Sequence, residues 1–69
     1  MKTLNQIVET LGYDAFHRHM GGSNFPLGTV AREINVIALA YDVHEEEVYV
    51  MVKDQMNYHI DMQVRSFQE

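Results

Sequence analysis

Apolar positions recur along this chain with a helical period for most of its length. Leu4, Ile7, Val8 and Leu11 fall at i, i+3, i+4 and i+7, which is one face of an amphipathic helix. Thr3 followed three residues later by Gln6 matches a capping box, and Gly12 is a natural helix stop. The pattern therefore predicts a helix over about 3–11, then a short second one over about 14–20. In that second helix Asp14 suits the N-cap, Phe16 and Met20 share a face, and Gly21-Gly22 end it. The stretch "GGSNFPLG" that follows reads as a loop, and Phe25 and Leu27 are expected to pin it to the core.

The stretch "TVAREINVIALAYD" carries the strongest helical signal. Thr29 is placed to cap it, and Val30, Ile34, Ile37 and Tyr41 form its stripe. Val36, Leu39 and Ala40 extend the apolar surface past half the circumference, as expected of a helix central to a bundle or forming half of an oligomer interface. The last third supports two readings. "HEEEVYVMVKDQM" makes a third helix with three glutamates in its first turn, where they complement the macrodipole. "YHIDMQV" alternates apolar and polar residues, the period of a half-buried strand. The favoured fold is mainly α, a small tri-helical bundle with a C-terminal extended β segment that pairs with a second copy. The alternative is α+β, with a hairpin over about 47–66 turning at "DQMN".

The stretch "IALAYDVHEEEVYVMV", residues 37–52, resembles the bacterial helix-turn-helix pattern I-A-x-x-x-G-V-S-x-x-T-V-x-x-x-L. Ile37 and Ala38 open the match, Val43 fills the turn, Val48 anchors the second helix and Val52 closes it. Asp42 stands at the usual turn glycine, a position Asp tolerates better than most residues. His44 replaces the capping serine. The resemblance implies a tri-helical scaffold whose second helix begins with Glu45, Glu46 and Glu47, where base-reading side chains enter the major groove. Acidic starts of this kind are similar to "S-E-E-E-V" stretches in sigma-factor helical regions, which implies packing or protein contact there.

Charge changes what such a scaffold is expected to bind. Five Lys and Arg against ten Asp and Glu give a formal net charge of −5. Phosphate neutralisation supplies most of the affinity in nucleic-acid binding, and no Lys or Arg lies between Arg32 and Lys53. Nucleic acid is thus disfavoured as a partner. The expected function is that of a small regulator or inhibitor acting by protein contact, through Asp42, Glu45, Glu46, Glu47, Tyr49 and Met51. Its size and acidity are similar to those of bacteriophage and mobile-element proteins that bind host machinery. Two alternatives are a dimeric transcriptional regulator touching DNA with Arg32, Lys53 and Arg65, and a self-assembling structural subunit.

Sixty-nine residues make one domain, too short to bury much surface unaided, so a homodimer is one expected form. No cysteine is present, which removes disulfides and thiolate metal sites and suits a cytoplasmic protein. No apolar run approaches the roughly 20 residues of a membrane span. His17 and His19 at i, i+2 diverge on a helix, and with His44 and His59 their spacing requires no metal site. The Gly-rich loop lacks the Gly-Lys-Ser/Thr ending of a phosphate-binding loop. With no nucleophile beside a base and no paired carboxylates, neither an enzyme nor a cofactor is expected.

Overall fold

The computed structural model describes residues 2–68, and among them the chain is mainly helical, with three helices and no strand. They are α1 (Leu4–Met20), α2 (Ala31–Tyr41, entered through a 3-10 turn at Gly28–Val30) and α3 (Glu45–Gln68). The capping box forms as the sequence predicts. The Gln6 amide donates to Thr3 Oγ1 at 3.2 Å, and the Thr3 amide donates to Gln6 Oε1 at 2.9 Å. From there α1 buries Val8, Leu11, Gly12, Ala15 and Phe16, an unbroken stripe at helical spacing.

Gly12 is therefore not a stop, and the predicted pair of helices over 3–11 and 14–20 is one helix. A glycine inside a helix costs about 1 kcal/mol relative to alanine. Here it lets α3 approach: an added Cβ would overlap Gln55 Cβ and come within 3.2 Å of the Gln55 and Met56 backbone. Four residues on, Phe16 stacks beside His59, 5.6 Å between ring centres. Gly12 meeting Gln55 and Phe16 meeting His59 means that α1 and α3 lie side by side in the same direction. At the other end, Tyr41 Oη donates to the Lys2 carbonyl at 2.8 Å, so α2 finishes where α1 begins.

The predicted C-terminal β segment and the hairpin over 47–66 are both replaced by one helix of 24 residues. Alternation at two positions also contains spacing of four, so Tyr58/Met62 and Ile60/Val64 fit a helix as well as a strand. A lone strand would leave its backbone groups unpaired, whereas a helix satisfies them internally. The valines of "VYVMV" settle the matter by register. Val48, Val52 and Met56 are successive i, i+4 residues, and both valines are 0% exposed. Ile34, Ile37 and Ala38 of α2 and Val30 of the turn complete the core, with Leu4, Ile7, Leu27, Tyr41, Val43, Met51 and Ile60 packed at its edges.

Two local expectations are also corrected. Thr29 does not cap α2; its hydroxyl donates to the Pro26 carbonyl at 2.6 Å, and α2 has no side-chain cap. Phe25 does not pin the loop, being 79% exposed, although Leu27 does pack against the core. Val36 and Leu39, on the outer side of α2, are exposed as well. Among the described residues no helix is long and apolar enough to cross a membrane.

Candidate functional site

The turn between α2 and α3 fixes where the glutamates stand. Asp42 takes the left-handed conformation, φ 55° and ψ 48°. Its amide donates to the Leu39 carbonyl at 3.4 Å, and the next amide, of Val43, donates to Ala38 at 3.0 Å. This is a Schellman ending, and it tucks Val43 against the core. The His44 carbonyl then receives the Glu47 and Val48 amides at 3.1 and 3.3 Å, so α3 starts with Glu45, Glu46 and Glu47 in its first turn. Asp42 is thus the turn residue, and it does not line the groove that Glu45 and Glu46 border.

An apolar groove of about 680 Å³ opens beside that helix start. Its far wall is the loop, with Phe25, Pro26 and Leu27; its floor is Ala31, Ile34 and Met56; and its near wall is Tyr49 with Glu45 and Glu46. Glu45 and Tyr49 are one helical turn apart, which aligns them on the same side of α3. The loop is shaped by its own hydrogen bonds. Phe25 accepts from the Gly28 amide at 3.0 Å in a turn that carries Pro26 at its second position, where proline is favoured. The Phe25 amide also donates to Ser23 Oγ at 3.3 Å. These bonds fix the backbone of Phe25, whose exposed ring lines the groove.

The six residues predicted for protein contact therefore divide. Glu45, Glu46 and Tyr49 line the groove together. Glu47 is exposed but does not line it, and Met51 is half-buried facing α1, beside Asn5 and Val8. Phe25, Pro26 and Leu27 were not legible as site residues, because nothing local tells a loop that folds inward from one that forms a wall. Around the carboxylates there is little compensation. Among the described residues the one ion pair is Arg65–Asp61 at 3.2 Å, both side chains mostly exposed. Glu45 receives only a long 3.4 Å contact from Asn35 Nδ2.

The residues predicted for DNA contact do not gather on α3. Lys53 and Arg65 are twelve positions apart, which on an α-helix is about 18 Å along the axis and about 120° around it. Arg32 stands on α2, and Arg65 is engaged with Asp61. The histidines fall elsewhere. His17 and His59 both meet the Tyr13 ring edge-on, at 4.4 and 5.2 Å, and no group of three or more metal-ligating side chains occurs among the described residues. No family model, no curated protein and no solved structure matches the chain.

Proposed function

We propose that this protein is a small regulator or inhibitor, without catalytic activity, that acts by binding a protein partner. The observation that carries the reading is the apolar groove between the 24–28 loop and α3, with Glu45 and Glu46 at its edge and Phe25 exposed on its rim. A desolvatable aromatic and aliphatic patch bordered by charged groups is the usual build of a protein-contact surface. On this reading α2, its turn and the start of α3 are a helix-turn-helix-like scaffold put to protein contact. The glutamates stand where the base-reading side chains of a DNA reader enter the major groove, and the neighbouring phosphates would repel them. A cytoplasmic location accords with the absence of cysteine, and a phage or mobile-element origin with the small acidic chain.

Two measurements test this. Random duplex DNA at low salt should not be retarded by the protein; retardation that weakens steeply with salt would replace the reading by DNA contact through Arg32, Lys53 and Arg65. In capture from a host lysate, the wild-type chain and the Glu45→Gln/Glu46→Gln/Glu47→Gln variant should differ in what they retain. A partner held equally well by both would remove the acidic face from the site.

A further inference from the structure

Resting on the protein-contact reading, we propose that the groove takes a basic amphipathic segment of its partner, with an apolar anchor seated between the loop and α3 and Lys or Arg side chains against Glu45 and Glu46. The cavity, about 680 Å³, lies within the roughly 300–1,000 Å³ that binding clefts occupy. Its lining runs along α3 from Glu45 to Met56, eleven positions or about 16 Å of helix, long enough for several residues of a bound segment. The groove is polarised along that length. The Glu45 end carries two carboxylates with no cationic partner among the described residues, whereas the floor is Ala31, Ile34 and Met56.

That polarity selects the occupant. Anionic ligands, including phosphate-bearing polymers and acidic lipid surfaces, would place like charge against like at one end of the groove. A second copy of this chain is a poor match, because its formal charge is −5 and it carries only five Lys and Arg. A cationic amphipathic segment matches both ends at once: the anchor removes the Phe25 and Tyr49 rings from water, and the flanking charges complement the carboxylates. Phe25 is 79% exposed, and its backbone is fixed beside the groove by the Ser23 and Gly28 bonds.

The test is a titration of the isotope-labelled full chain, followed by amide chemical shifts, with three synthetic peptides. They share one set of Leu and Phe anchors and differ only in flanking residues: Lys/Arg, Gln or Glu. The Lys/Arg peptide should bind, moving the amides of Phe25, Leu27, Gly28 and Tyr49, and added salt should weaken it. Glu45→Gln/Glu46→Gln should reduce its affinity by about tenfold, or roughly 1.4 kcal/mol. Phe25→Ala changes an exposed side chain outside the core, so it should keep the fold while losing the peptide. Equal binding of all three peptides in the groove would overturn the basic partner and leave the protein-contact reading standing. Shifts confined to another surface, or none with any peptide, would overturn the groove as the docking site. A partner captured from lysate independently of Glu45 and Phe25 would likewise overturn the groove while leaving protein contact standing, whereas retardation of random duplex DNA at low salt would overturn the functional reading itself.

Discussion

Two backbone positions carry more structural weight than their side chains suggest. At Gly12 the intrinsic helix preference and the packing oppose each other. Gly12→Ala gains about 1 kcal/mol of helix propensity, but its methyl meets Gln55 Cβ and backbone rather than the flexible end of a side chain. Overpacking of this kind costs about 1–3 kcal/mol, so the expected outcome is a net loss and a thermal midpoint lowered by several degrees. A midpoint that rises would mean that the helices can part there without penalty. Asp42 is the second position. Helix α1 ends in the same Schellman pattern with Gly22 at φ 95°, the Ser23 amide donating to Arg18 at 3.0 Å. The chain uses glycine at one ending and aspartate at the other. Asp42→Gly should therefore stabilise by up to about 1 kcal/mol, and Asp42→Val should cost at least as much, as read by denaturant midpoints.

At the scale of elements, periodicity was a good guide to what is helical and a poor one to where helices stop. The Thr3–Gln6 box and the Val30, Ile34, Ile37 and Tyr41 stripe stand where the pattern puts them. Gly12 misled because a glycine required by a neighbouring helix looks, in one sequence, like a glycine that ends its own. The alternation over 58–64 misled because apolar residues two apart are also four apart. The place of Glu45 and Glu46 on the wall of the candidate groove was legible only as charge at a helix start, and their apolar neighbours across the groove were not legible at all. The groove exists only once the loop folds beside α3, a contact between segments about twenty residues apart. Helix α3 is also not uniform along its length. Val48, Val52 and Met56 are buried, but Met62, Val64 and Phe67 are exposed. Amide exchange should accordingly be slow from about Val48 to Ile60 and fast over the last turns, since protection follows tertiary packing. Equal protection throughout the free chain would show that something covers the far end in solution.

For the molecule as a whole, apolar surface left in water is the dominant fact. Phe25, Leu39 and Phe67 are each more than three-quarters exposed, in a chain that can bury only roughly 60% of its unfolded surface. Such a molecule holds its fold with a small core, and removing part of that core has a large effect. Ile34 is 1% exposed, and Ile34→Ala should cost about 2–5 kcal/mol, comparable with the whole stability of a domain this size. A substantially unfolded population by circular dichroism is the expected result.

The parallel pairing of α1 with α3 also sets the order in which the chain assembles. Residues joined by it are far apart in sequence: Gly12 and Gln55, like Phe16 and His59, are 43 positions apart. The α2–α3 turn closes over a handful of residues. Because loop-closure entropy must be met before distant contacts give any return, the turn and its two helices should form early and α1 should dock late. Variants at Asp42 should then alter the folding rate, whereas Gly12→Ala should act almost wholly on the rate of unfolding. The groove belongs to the early unit, since its walls and floor come from residues 24–56 and none from α1. Its persistence should nevertheless depend on α1 staying docked, because Ile34 and Met56 of its floor share one core with Val8, Leu11, Ala15 and Phe16.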